Sequence, residues 1–128
     1  HVAGLRALVA DDNATNRLIL NAMLGALGVR TTMVVDGACA IDAWAPGAFD
    51  VVLLDISMPE VDGIGALGRI REIAAAAPQP APRAIAVTAN AMKHQIDSYF
   101  EAGFDGYVGK PFRRDDLARE LARVVGRG

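Results

Sequence analysis

The 128-residue chain carries 13 Lys and Arg against 15 Asp and Glu, a net charge of −2, and is 52% apolar but only 5% aromatic. That balance excludes a disordered chain and argues against a nucleic-acid binder, because the basic residues are scattered and form no stripe with interleaved aromatics. One cysteine excludes an internal disulfide framework, and no apolar run approaches the ~20 residues that span a bilayer.

The length suits one domain, 1–128, with a core of Ala, Val, Leu and Ile. Along it, short aliphatic runs alternate with longer helix-period segments, the signature of repeated βα units around a parallel sheet. Leu5 to Ala10 reads as a first strand, Asn13 to Leu27 as a helix stopped by Gly28, and Val29 to Val35 as a second strand. Asp36-Gly37 turns into a short helix ending near Pro46-Gly47, in which Cys39 is expected in the core. The continuous apolar run Phe49 to Leu54 marks a buried third strand. A loop from Asp55 to Gly63 follows, then a helix from about Ile64 to Ala77, broken by Pro78, Pro80 and Pro82. Ala84 to Thr88 is the fourth strand. Met92, Ile96, Tyr99 and Phe100 repeat at helical spacing before Gly103. Gly106 to Gly109 is the fifth strand, and Leu117, Leu121 and Val124 stripe a last helix whose first turn holds Asp115 and Asp116. The close trimming at both ends suggests a module of a larger protein.

Chemistry gathers at strand ends. The first, third, fourth and fifth strands end in, or run straight into, Asp11-Asp12, Asp55, Thr88 and Lys110. In an open parallel α/β sheet ligands bind outside the carboxyl ends of the strands, where strand order reverses. If the order is 2-1-3-4-5, that crevice lies between strands one and three, bringing Asp11, Asp12 and Asp55 together. Three carboxylates around one point repel unless a hard cation sits among them, and Mg²⁺, or Mn²⁺, suits such oxygen ligands. Lys110 and Thr88 add a cation and a hydroxyl that could hold phosphoryl oxygens, and Asp55 is the sensible nucleophile, since a carboxylate can form an acyl phosphate. Singly each residue has a bland alternative: Asp11-Asp12 as helix caps, Asp55 as a turn cap, Thr88 as a strand-end hydroxyl, Lys110 as a solvated lysine. Jointly, four strand ends would have to acquire these groups by accident.

These segments resemble the receiver domain of two-component response regulators over essentially the whole chain. The match is carried by Val9-Ala10-Asp11-Asp12-Asn13, by Leu54-Asp55-Ile56-Ser57-Met58-Pro59-Glu60-Val61-Asp62-Gly63, by Val87-Thr88-Ala89-Asn90-Ala91, and by Asp105 to Phe112. The resemblance implies a flavodoxin-like, doubly wound five-stranded parallel sheet with helices on both faces. It also implies that Asp55 accepts phosphate from a histidine kinase or histidine phosphotransfer protein. Asp12 would ligate Mg²⁺ directly, Asp11 largely through water, and Asp55 and the Ser57 backbone carbonyl would complete the protein ligands. Lys110 would pair with the phosphoryl group, Thr88 would move toward it, and Tyr107 would be the aromatic switch whose ring turns inward. A cis Lys110-Pro111 bond is common at this position, and Ser57 and Asn90 match positions that tune hydrolysis. The wording Asp11 to Arg17, with Thr88 to Met92, is most similar to receivers of hybrid sensor histidine kinases.

Other signals carry less. Gly63-Ile64-Gly65-Ala66-Leu67-Gly68 spells a dinucleotide fingerprint, but it does not follow its strand directly and no acidic residue lies about 20 positions later. Gly65 and Gly68 are expected to let the third helix pack closely. His94 and the Arg113-Arg114 pair read as solvated, and His1 as a terminal remnant. A flavin carrier would need a phosphate-cradling glycine loop after strand one. A phosphohydrolase would need a second carboxylate two residues after Asp55, where Ser57 stands. The expectation is a cytoplasmic signalling domain, monomeric or weakly dimeric, without nucleic-acid or membrane contact of its own, in a parent that can be membrane-anchored. It would catalyse only its own phosphorylation and dephosphorylation, switching the surface of helix four, strand five and helix five.

Overall fold

Alternation of side chains along each strand divides the core into two layers. In the computed structural model, which describes residues 2–78, 80–89 and 91–126, the elements run β1 (Arg6–Ala10), α1 (Ala14–Ala26), β2 (Arg30–Val34), α2 (Gly37–Ala43), β3 (Val51–Asp55), α3 (Gly63–Ala75), β4 (Arg83–Thr88), α4 (Lys93–Glu101), β5 (Gly106–Gly109) and α5 (Arg114–Val124). All pairings are parallel, in the order β2-β1-β3-β4-β5. Ala7, Val9, Val51, Leu53, Ile85 and Val87 face one layer with Leu20 and Leu24 of α1 and Leu117, Leu121 and Val124 of α5. Leu8, Ala10, Val52, Leu54, Ala84 and Ala86 face the other, with Ala66, Leu67 and Ile70 of α3 and Tyr99 of α4. This period of two on strands buried on both faces is why their sequences read as unbroken apolar runs.

Helix starts follow from local chemistry. The Asn13 side chain accepts the Asn16 N–H (2.9 Å), Asp36 accepts from Cys39 (2.8 Å) and Asp62 accepts from Gly65 (2.8 Å), each satisfying an otherwise orphaned donor in a first turn. At the other end of α1, Gly28 takes φ +82°, a left-handed conformation that glycine adopts without a steric penalty.

Four expectations are corrected. Strand β3 begins at Val51, not Phe49, because the Asp50 carboxylate is held by the Arg6 N–H (2.9 Å) and guanidinium (3.1 Å), and it continues to include Asp55. Gly65 and Gly68 are exposed on α3: Gly68 faces open space, and Gly65 meets only the preceding turn, where a Cβ would lie 3.3 Å from the Asp62 side chain. The crowded glycines include Gly63, where a Cβ would collide with the Asp55 carbonyl, Gly37, where it would meet Val61, and Gly106, where it would meet the Glu120 side chain. Met92 and Phe100 do not join the core: they are 60% and 43% exposed, and α4 buries only Tyr99. Cys39 is half-buried, and the neighbouring Asp36 carboxylate pushes its thiol pKa up, which leaves it a poor nucleophile.

Candidate functional site

Strand β1 runs out at Ala10, and the next residue, Asp11, is completely buried. Its Oδ1 accepts the Asn13 N–H (2.9 Å), a local turn that hands the chain to Asn13 as the cap of α1. Asp11 and Asp12 are therefore not the helix caps. From the first turn of α1, Arg17 donates Nη1 to the Asp11 carbonyl (2.8 Å) and fixes this corner. Arg17 stood in the sequence string without an assigned task; a guanidinium four residues after a cap is too common a surface feature to single out.

Asp55, 3% exposed, is the last residue of β3. Its Oδ1 accepts the Ser57 N–H (3.0 Å), so it does cap a turn, but its Oδ2 accepts from the Lys110 ammonium (3.0 Å), which arrives from the end of β5. Lys110 is held there by its own N–H to the Thr88 carbonyl (2.8 Å), and the Lys110-Pro111 bond is cis. The Lys110 Nζ also lies 3.7 Å from Asp11 Oδ2, close enough for charge pairing and too far for a hydrogen bond. Asp11 Oδ2 accordingly has no hydrogen-bond partner among the described residues despite its burial.

Exposed Asp12 completes the group: one carboxylate oxygen each from Asp11, Asp12 and Asp55 lies within 4.8 Å of the others. One ammonium faces three carboxylates, two of them buried. Burial pushes the Asp55 pKa up; the Ser57 N–H and Lys110 oppose the shift and the Asp11 charge reinforces it. A buried carboxylate oxygen without a hydrogen bond, in a triad that shares one lysine, is costly unless a further cation is supplied, so these residues fit a divalent metal of the oxygen-preferring kind.

Thr88 closes β4 and is 3% exposed, beside Val87, which pairs with Asp55. Its Oγ1 lies 2.9 Å from the Tyr99 hydroxyl on α4. Sequence reading took Tyr99 only as an apolar position; the one clue was a hydroxyl on a position that the helical period buries. Tyr107 is half-buried on β5 against the layer that holds Tyr99, and its N–H donates to Glu120 of α5 (2.8 Å). Ser57 is exposed in the loop that follows Asp55, and Asn90 and His1 lie outside the described residues. His94, Arg113 and Arg114 are exposed. A cleft of about 370 Å³ opens at the opposite ends of the strands, lined by Arg6, Trp44, Asp50 and Arg83, where Arg6 and Asp50 are already engaged with each other.

The Response regulator receiver domain family profile matches residues 7–122. The chain is 35% identical over 121 residues to the Sensor protein GacS of Pseudomonas syringae pv. syringae and 36% identical over 115 residues to the Sensor histidine kinase RcsC of Salmonella typhi. These alignments take in 94% and 90% of this chain but only 13% and 12% of those proteins. Among solved structures, the receiver domain of the sensor histidine kinase PA1611 of Pseudomonas aeruginosa superimposes with a TM-score of 0.82 at 35% identity, covering 97% of this chain and 99% of that one; it has a magnesium ion coordinated in its active-site cleft. With the profile spanning nearly all of the sheet and helices described above, the chain belongs to the family of response regulator receiver domains.

Proposed function

We propose that this domain is the phosphoacceptor of a two-component phosphorelay and that Asp55 is the residue modified. The carrying observation is the site's charge imbalance: a buried carboxylate at a strand end, one lysine shared with Asp11, and a buried Asp11 oxygen without a hydrogen-bond partner among the described residues. Asp11, Asp12, Asp55 and the Ser57 carbonyl would hold Mg²⁺, which when bound supplies the positive charge that lets an anionic donor approach three carboxylates. The magnesium reported in the PA1611 receiver supports that assignment.

The reaction is a displacement at phosphorus. An Asp55 carboxylate oxygen forms the new P–O bond, and the P–N bond of a phosphohistidine breaks with its electron pair on the leaving imidazole nitrogen, which takes up a proton. The ammonium of Lys110, already on Asp55 Oδ2, stands where it can pair with a phosphoryl oxygen, and the Thr88 hydroxyl can donate to another. A phosphoryl group that binds one arrangement of Thr88 and Tyr107 better than the other shifts the population of the surface built by α4, β5 and α5. The donor is a histidine kinase or histidine phosphotransfer protein, and the sensor kinases among the relatives favour a hybrid sensor kinase as the parent, of which residues 1–128 form one module.

Incubation with a phosphorylated histidine phosphotransfer domain tests this. Label should pass to the wild-type domain in Mg²⁺ and stay on the donor with Asp55→Asn or excess chelator. Transfer that survives Asp55→Asn would move the acceptor elsewhere.

A further inference from the structure

Helix α4 is lightly anchored. It buries one residue, Tyr99, whereas α3 buries five and α5 three. That single buried anchor ends in a hydroxyl, and the hydroxyl sits 2.9 Å from Thr88 Oγ1. Thr88 in turn has its backbone held by β5, since its carbonyl accepts the Lys110 N–H at 2.8 Å. Its side chain turns about χ1, and staggered wells separate its positions discretely.

We propose that Tyr99 is a positioning residue, a latch that holds the Thr88 hydroxyl on α4 in the unphosphorylated domain and releases α4 when the phosphoryl group on Asp55 captures that hydroxyl. The proposal rests on the phosphoacceptor reading of Asp55 and names how that site is regulated. Tyr99 meets the site through its contact with Thr88. A hydroxyl moved from Tyr99 toward Asp55 exchanges one hydrogen bond for a charge-assisted one, which is the stronger kind. The exchange detaches the one buried residue of α4 from the sheet end, so a change at Asp55 reaches the outer face of α4, where Met92 and Phe100 are exposed. The Tyr107 ring, packed on the same layer, lies next to the space affected.

Substitution Tyr99→Phe removes the latch oxygen and keeps the ring that packs in the core. The latch favours the unphosphorylated arrangement by one ordinary hydrogen bond, so its loss should tighten binding of beryllium trifluoride, a phosphoryl mimic, about fivefold. Fluorine NMR titration with beryllium fluoride in saturating Mg²⁺ reads this directly. Affinity for Mg²⁺ alone should stay at the wild-type value, because the metal group is Asp11, Asp12 and Asp55 and Tyr99 is outside it. In a Thr88→Ala background, Tyr99→Phe should change nothing, an outcome that a purely structural role for Tyr99 does not produce. Equal or weaker beryllium trifluoride binding by Tyr99→Phe, or the same fivefold gain in the Thr88→Ala background, overturns the latch. Failure of the wild type to bind beryllium trifluoride at all would instead overturn the phosphoacceptor reading, and the latch with it.

Discussion

Asp11 and Asp55 are both out of solvent, and Lys110 is the one ammonium within reach of either among the described residues. Burial raises the Asp55 pKa, so ionisation at neutral pH costs the metal-free fold stability; that cost is full above the raised value and falls away as the pH drops to the ordinary carboxylate range of the unfolded chain. Asp55→Asn removes a charge from this group and should stabilise the metal-free domain at pH 7 by roughly 1 kcal/mol, seen as a higher thermal midpoint. Saturating Mg²⁺ should reverse the order, stabilising the wild type more than the variant. Lys110→Ala should do the opposite in the metal-free state, losing about 1–2 kcal/mol, a discounted figure because the lysine is partly exposed. Phosphorylated Lys110→Ala should also show a weakened response of α4 and β5 in amide NMR. Asp11, Asp12, Asp55, Thr88 and Lys110 were legible in the sequence because each places a polar group where an apolar strand stops. Tyr99 and Arg17 were not: one is camouflaged by a period that aromatics usually satisfy, and the other reaches a backbone carbonyl, which no pattern of side chains encodes.

Helix α3 shows how one residue type serves opposite ends. Gly63 admits the Asp55 carbonyl where a Cβ would collide, whereas Gly68 faces open space. Gly63→Ala should therefore destabilise the domain by ~1–3 kcal/mol and weaken Mg²⁺ binding, since the strain falls on the acceptor strand. Gly68→Ala should stabilise by about 1 kcal/mol through helix propensity alone, both effects measured by urea unfolding. The existence and order of all ten elements could be read from alternating apolar runs and turn residues, because βα units repeat that contrast. Which glycine is crowded could not, since crowding comes from a loop returning to a helix start eight residues after the strand end. The same holds for α4: Met92 and Phe100 share a helical stripe with Ile96 and Tyr99, yet strand β5 is too short and too near the sheet edge to cover them all.

At the scale of the molecule, the parallel order β2-β1-β3-β4-β5 turns residues up to 99 positions apart into one site, by placing four strand ends on the same edge. The sheet core, not the site, carries the stability: Leu121→Ala, at a fully buried position of α5, should cost ~2–5 kcal/mol in urea unfolding while leaving the arrangement of carboxylates intact. Order 2-1-3-4-5 came from the resemblance of motifs and not from periodicity, because hydrophobic patterns mark strands without saying which neighbours they take. The central claim is that Asp55 becomes an acyl phosphate in a reaction that needs Mg²⁺. Intact-mass measurement after incubation with a small acyl phosphate tests it most directly. The expected result is the mass of one phosphoryl group on the wild type in Mg²⁺, and none in excess chelator or on Asp55→Asn. A wild-type domain that gains no mass with Mg²⁺ present, or an Asp55→Asn variant that gains as much, would contradict it.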